Sequence, residues 1–350
     1  MGKWNWDWRP NLCDNCGECL EACPYIDMSL DTAKEEIKAI REGKITDTVK
    51  GCITCGLCNE FCEKGANPFD LIIDRIEAAG LEWTTTNINN FGDFTWSHET
   101  SKIVRGEGKP WMNLCVCKPA CPKGLFESKL FDKMNLVGGV GYYCWLGWIH
   151  AGTDSGPTRY LKVTIDNLDA LLAKEIIFFH DECYATLCTK AIDLGLAYRF
   201  RPRHILEYLI KYVKEHKDDV NKLGLKIAYQ RPDSQRFGPD RDSWVDELFD
   251  LIGVERVQRQ YDRKNSLCCS VPIVDTQPAR AAEIRKRNIE DARTNGAKQI
   301  VFLCPYCYDT LKKDAADAGL VPLMIMDLVR IAIGEKPSIE AQSYLETIKE

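Results

Sequence analysis

Cys13-x-x-Cys16-x-x-Cys19-x-x-x-Cys23-Pro24 returns as Cys52-x-x-Cys55-x-x-Cys58-x-x-x-Cys62-Glu63. Three thiolates two residues apart on a tight loop wrap three corners of an iron-sulfur cube, and the fourth, leaving on a helix, reaches the neighbouring cube. Two copies of the run are therefore the ligand pattern of two 4Fe-4S clusters. By that rule one cluster takes Cys13, Cys16, Cys19 and Cys62, and the other takes Cys52, Cys55, Cys58 and Cys23. Gly17 and Gly56 fall inside the loops, where sulfide leaves little room for a side chain. Glu63 stands where the second copy would carry proline, a departure that touches no ligand. Zinc usually takes two separated cysteine pairs, which this run does not offer.

About 28 residues separate the two runs, and Leu30 to Arg41 within them places apolar residues at helical spacing, closed by Gly43. Small bacterial ferredoxins use short β-hairpins there. A helical spacer instead resembles the α-helical ferredoxin module of heterodisulfide reductase and of succinate dehydrogenase iron-sulfur subunits, which assigns residues 1–83 to a helical domain with two clusters.

The chain has 350 residues, 18 of them cysteine, far more than a typical cytosolic enzyme and spread too thinly for a disulfide-stapled secreted scaffold. Charged residues make up 28% and hydrophobic ones 45%, the balance of a soluble globular protein. The longest apolar stretch, Leu320 to Ile333, is broken by Asp327 and Arg330 and is too short to span a bilayer. No signal peptide or myristoylation pattern opens the chain, so a reducing cytoplasm is expected, or the inner face of a membrane reached through a partner subunit. A net charge of -6 argues against a nucleic-acid surface. Arg201, Arg203, Lys211, Lys214 and Lys217 read as one solvated helix face, and Trp4, Trp6 and Trp8 as core packing with a strand-like alternation.

Residues 84–109, rich in Thr, Asn, Gly and charge, read as a connector. A second repeat follows. Phe178-Phe179-His180-Asp181-Glu182-Cys183-Tyr184-Ala185-Thr186-Leu187 aligns without a gap to Phe302-Leu303-Cys304-Pro305-Tyr306-Cys307-Tyr308-Asp309-Thr310-Leu311. Upstream, Tyr143-Cys144 corresponds to Cys268-Cys269, at intervals of 39 and 38 residues to the later cysteine. Two lobes are expected, 110–224 and 225–350. Each reads as an α/β unit in which a buried strand, Glu175–Phe179 or Gln299–Leu303, delivers His180 or Cys304 at its carboxyl end. The expected architecture is α+β and multidomain: a helical two-cluster ferredoxin followed by two repeated α/β cysteine-rich lobes.

Cys268-Cys269 followed by Cys304-Pro305-Tyr306-Cys307 resembles the CCG domain of the heterodisulfide reductase catalytic subunit. A helical ferredoxin joined to two such lobes is similar to the fused form of that enzyme. The resemblance implies a 4Fe-4S cluster in the second lobe on Cys268, Cys269, Cys304 and Cys307, and disulfide cleavage by single electrons. The family's Cys-Cys-Gly is Cys268-Cys269-Ser270 here. Its His-Asp-Pro-Cys element falls on Gln230-Arg231-Pro232-Asp233, so Asp233 stands where a fifth thiolate would be. Cubane and non-cubane forms both stay open. Asp233 and the four thiols are the candidate catalytic residues.

The first lobe keeps Cys144 and Cys183 but has Tyr143 and His180 in place of two cysteines, with Cys115, Cys117, Cys121 and Cys188 nearby in sequence. It holds a fourth cluster, with His180 as a ligand of the kind Rieske sites use, or it has become scaffold. Gly138-Gly139-Val140-Gly141 lacks nucleotide-loop spacing and reads as turn geometry. With no flavin or nicotinamide fingerprint, the electron donor must lie on a flavoprotein, hydrogenase-type or membrane cytochrome subunit, and a small thiol or disulfide is the candidate substrate. The alternative is a relay, without chemistry of its own, between a flavoprotein and a quinone- or cytochrome-linked subunit.

Overall fold

The computed structural model of the chain describes residues 7–238 and 240–347. Up to His98 every regular element described is a helix: Glu18–Glu21, Leu30–Arg41, Asp47–Gly51, Leu57–Phe61, Pro68–Ala79 and Glu82–Ser97. The spacer helix starts where the Ser29 hydroxyl accepts the Thr32 N–H, and it buries Ala33, Ile37 and Ile40, the apolar stripe that its sequence spacing predicts.

Two sheets follow. The first contains β1 (Ser101–Ile103), β2 (Trp111–Asn113), β3 (Asn135–Gly138), β4 (Glu175–Phe178) and β5 (Arg201–His204), in the order β1-β3-β2-β4-β5. Only β1 runs antiparallel. The second contains β6 (Leu225–Gln230), β7 (Val254–Arg256), β8 (Gln299–Phe302) and β9 (Val321–Met324), all parallel, in the order β7-β6-β8-β9. Without β1, both sheets follow one pattern: first strand beside second and third, fourth outermost. Buried on both faces, β8 and β9 read as continuous apolar runs rather than alternations. No helix among the described residues is long and apolar enough to cross a membrane.

Two expectations need correction. The 84–109 connector is largely structured: Glu82–Ser97 is a helix that buries Thr84, Asn87 and Thr95, and β1 closes the edge of the first sheet. Asn87 Nδ2 donates to Pro272 O at 2.8 Å, so a polar face that predicts a loop is satisfied by tertiary contacts. The basic run is not one helix face, because Arg201 and Arg203 lie on β5, Lys211 and Lys214 on the Ile205–Glu215 helix, and Lys217 in a 3-10 turn. Of the tryptophans read as core packing, Trp8 packs its ring partly buried against the core, outside any strand, and its N–H donates to Asp70 Oδ2 at 2.7 Å; Trp4 and Trp6 lie outside the described residues.

Asp70 is 8% exposed, and burial pushes its carboxyl up to about 7 despite the Trp8 N–H. A raised carboxyl pKa means that the folded state holds the proton longer than the unfolded one. Stability is then greatest below about pH 4 and falls as pH rises through 7. Asp70→Asn, which keeps an acceptor for Trp8, is expected to flatten this fall and to stabilise the protein by a few kcal/mol at pH 8, at about 1.4 kcal/mol per unit. Anaerobic thermal melts across pH 5–8 check it, and parallel curves for the two proteins would contradict it.

Candidate functional site

The first four thiols converge. Cys13, Cys16, Cys19 and Cys62 line one small recess with Trp8, Ile37 and Lys64. Gly17, at φ +80°, starts the Glu18–Glu21 helix, and a methyl group there would sit 2.7 Å from Lys34 N. Cys52, Cys55, Cys58 and Cys23 form the second set, each close enough to the others to influence ionisation. Gly56, at φ +74°, faces Phe237, whose Cζ would lie 2.3 Å from an added methyl. Burial pushes the Cys19 and Cys52 thiols up to about 12. Eight sulfurs in two sets of four are a donor set that iron in a cubane satisfies. In the second set burial disfavours free thiolates, and iron would stabilise them.

The second set faces the second sheet's unit. Arg236 donates to Cys55 O, Arg280 to Gly51 O and Tyr25 O, and Arg287 to Pro24 O. Tyr25 in turn accepts the Cys268 N–H at 2.7 Å. Cys268 is fully buried beside Ile53, Cys55 and Leu57, while its neighbour Cys269 packs with Cys304 and Cys307 in the main core. The two adjacent thiols also hydrogen-bond each other, in a loop that turns at Ser270, φ +69°.

Cys304 lies two residues past the end of β8 and caps the Pro305–Asp317 helix, with Cys307 in its first turn. Hydrogen bonds from Cys268 and Cys307 hold the Cys269 thiol well below its usual range, and one from Cys307, backed by His180, brings Cys304 down to about 7. Asp233 lies in a 3-10 turn after β6 and reaches the same place, but its Oδ1 is ion-paired with Arg236. Its carboxylate is committed to a guanidinium rather than presented to the thiols.

In the first sheet's unit, Cys115, Cys144, His180 and Cys183 are all buried, and their ligand atoms lie within 4.8 Å of one another. That spacing suits one tetrahedral ion with Cys and His ligands. Hydrogen bonds from Cys117, Cys144, Cys183 and His180 outweigh burial and hold the Cys115 thiol well below its usual range. Cys121 Sγ lies 3.3 Å from Cys117 O at the margin of this group. Cys188 sits at the far end of its helix beside Tyr184, outside the group. Gly139, at φ +89°, has Glu99 O where a methyl would be, so the glycine run is a turn packed against the chain that precedes β1.

The two groups meet. His180 Nδ1 lies 4.0 Å from Cys183 Sγ, and its Nε2 lies 3.8 Å from Cys304 Sγ. His180 and Cys304 leave their strands with nearly the same backbone angles, φ −90°, ψ 124° and φ −86°, ψ 125°. Between them opens a cavity of about 220 Å³, bounded by Cys269, Cys304 and Cys307 on one side and by His180, Glu182 and Tyr143 on the other. Sulfurs lead to it in steps: Cys19 beside Cys58, Cys55 beside Cys268, then Cys269, Cys307 and Cys304.

Several residues here escaped the sequence reading. Glu182 Oε2 is 4.0 Å from Cys144 Sγ, and its Oε1 is 3.7 Å from His150 Nε2. Burial raises its carboxyl. His150 Nδ1–H donates to Thr54 O, and Thr54 Oγ1–H donates back to His150 O, which joins the second ferredoxin loop to the cavity wall. Tyr306 donates to Val116 O across the units at 2.7 Å, and Phe91 and Phe94 of the supposed connector close the cavity. The scarcity of histidine, five in the chain, was a usable signal for His150; nothing local marked the others.

Comparison with known proteins finds matches to two segments of the chain and along most of its length. A 4Fe-4S dicluster domain matches residues 8–63, and a cysteine-rich domain matches residues 241–312. One subunit of the dihydromethanophenazine:CoB–CoM heterodisulfide reductase of Methanosarcina mazei is 21% identical, over 91% of this chain and 92% of its own length. Its Methanosarcina barkeri counterpart is 22% identical over 93% and 94%. One subunit of the fumarate reductase (CoM/CoB) of Methanothermobacter marburgensis is 21% identical over 91% of this chain and 71% of its own. In fold, the chain is similar to a crystal structure of a hypothetical protein from Helicobacter pylori, with a TM-score of 0.54 and 12% identity, over 89% of this chain and 65% of that one. The chain thus carries an iron-sulfur dicluster domain and a cysteine-rich domain, and it resembles this heterodisulfide reductase subunit along nine tenths of its length.

Proposed function

We propose that the chain is the redox subunit of a larger oxidoreductase and reduces, or forms, a small disulfide in the cavity between its two α/β units. The observation that carries this is the cavity wall, which joins Cys269, Cys304 and Cys307 to His180 and Glu182 at the end of a continuous series of sulfurs. Clusters bound at these sulfurs supply one-electron transfer. Reduction breaks the S–S bond: R–S–S–R′ with two electrons and two protons gives R–SH and R′–SH. The electrons come from a flavoprotein, hydrogenase-type or cytochrome subunit. Membrane association, where it occurs, is through the partner.

Within this reading, Cys268, Cys269, Cys304 and Cys307 hold a third 4Fe-4S cluster, and Cys115, Cys144, His180 and Cys183 hold a further metal centre. The four thiols are a sufficient cluster set, and Asp233, paired with Arg236, acts by position on the cavity wall. Glu182 Oε2 lies 3.8 Å from His180 Nε2 on this wall. The apolar walls keep bulk water from the reacting sulfurs. We infer as well that residues 110–224 and 225–350 are copies of one unit, supported by the common strand order, by the matched angles at His180 and Cys304, and by the aligned sequences.

The pairing of Asp233 with Arg236 favours a second reading, a relay without substrate chemistry, because that carboxylate is not free to complete an open iron site. Adding a small thiol to oxidised, anaerobically purified protein separates the two. A changed electron paramagnetic resonance spectrum is expected if the cavity sulfurs meet substrate, and an unchanged one would leave only the relay.

A further inference from the structure

Two arginines of the Pro278–Thr294 helix reach from the second α/β unit to the loops of the second cysteine set. Arg280 donates to Gly51 O and Tyr25 O, both at 2.9 Å, and so joins the residue before Cys52 to the residue two past Cys23. Its remaining bond goes to Gln277 Oε1 at 2.9 Å, another uncharged acceptor, and no carboxylate pairs with it among the described residues. Arg287, further along the helix, makes the longer contact, 3.3 Å to Pro24 O, and is shared with the Tyr261 hydroxyl. The other charges at this set cancel: Arg236 and Arg231 are balanced by Asp233 and Glu60.

Arg280 is half-buried in the first turn of its helix, where the helix dipole disfavours a cation. The helix itself therefore gives no reason for an arginine there, and the loops it faces do. One-electron reduction adds a negative charge to a cluster held by four thiolates, and a cation close by stabilises the reduced form more than the oxidised one. The charge of Arg280 acts on both Cys23 and Cys52, two of the four thiols of this set.

Resting on the reading of these thiols as a cluster that passes electrons toward Cys268, we propose that Arg280 raises the reduction potential of that cluster, so that the second α/β unit tunes the centre that supplies it. The test is a redox titration of the anaerobic holoprotein followed by electron paramagnetic resonance. Gln277→Glu sets a carboxylate against the Arg280 guanidinium while keeping the hydrogen bond, at a helix start that favours an anion. It is expected to make reduction of one cluster about tenfold less favourable, about 59 mV for one electron, and to leave the others in place. Arg280→Gln is expected to move the same couple in the same direction. Arg280→Lys, which keeps the charge and loses the fork, should leave that couple near its parent value. Arg41→Gln is expected to move a different couple, because Arg41 donates to Cys13 O at 3.0 Å in the first set. An unshifted Gln277→Glu protein overturns the inference, as does a single couple moved by both Gln277→Glu and Arg41→Gln. A shift in Arg280→Lys as large as in Arg280→Gln overturns it too, since loss of the hydrogen bonds alone would then explain both. A parent protein with no reducible cluster overturns instead the iron-sulfur reading on which the inference rests.

Discussion

Replacing Cys304 and Cys307 together with serine is expected to lower the iron content of anaerobically purified protein from about 12 atoms per chain to about 8, and to abolish disulfide reduction. The two N-terminal sets account for about 8 and the second α/β unit for about 4 more. The fold is expected to tolerate the change: Cys304 and Cys307 are buried, but each substitution exchanges one atom, and the Pro305–Asp317 helix keeps its proline start. The spectrum of the ferredoxin pair is therefore expected to survive. Retention of about 12 irons in the variant would show that these thiols hold no cluster, and about 8 in the parent would show the third site empty. A colourless, zinc-loaded parent would overturn the iron-sulfur reading as a whole.

Arg241→Met is expected to destabilise the protein by about 3–5 kcal/mol, the cost of stranding a buried charge. Arg241 and Asp181 are both 0% exposed, with Nε–Oδ1 at 2.7 Å and Nη2–Oδ2 at 3.1 Å. Arg241 also donates to Ser234 O and Phe237 O, and Asp181 also accepts from His204 Nε2 at 3.0 Å. The pair bolts the helix that follows β4 to the loop before the Asp242–Ile252 helix, and so holds the two units in register around the cavity. Burial alone would push the Asp181 carboxyl up, but Arg241's charge and the His204 hydrogen bond hold it well below the usual carboxylate range. A depressed carboxylate pKa contributes stability above the unfolded-state value, near 4, that is lost only as pH falls through the folded value. The gap between parent and variant should therefore shrink as pH falls toward 4, where Asp181 in the variant takes up a proton. Asp181→Asn added to Arg241→Met should recover part of the loss. Melts and denaturant titrations under argon check this; a single-variant loss below about 1 kcal/mol would show the pair to be dispensable.

Reading the sequence went furthest where chemistry and spacing coincide. Leu30–Arg41 and Gln299–Phe302 form where periodicity places them, because their apolar positions match the faces they bury. It failed at 84–97, where Thr and Asn argue for a loop. Thr84, Asn87 and Thr95 are buried, and Asn87 is anchored on Pro272 O, a partner 185 residues away that local propensity does not register.

The sequence alone determined the two four-thiol sets, since ligand spacing within a short loop is a local property. It also determined the strand ends that carry His180 and Cys304. Only the tertiary structure decided that Cys115, Cys144, His180 and Cys183 gather within 4.8 Å, because strand order, not spacing, brings together loops up to 68 positions apart. It likewise decided that Asp233 is spent on Arg236, and that a helix from the supposed connector walls the cavity. Each of these depends on which elements pack side by side, and residue order along one strand or helix does not encode that.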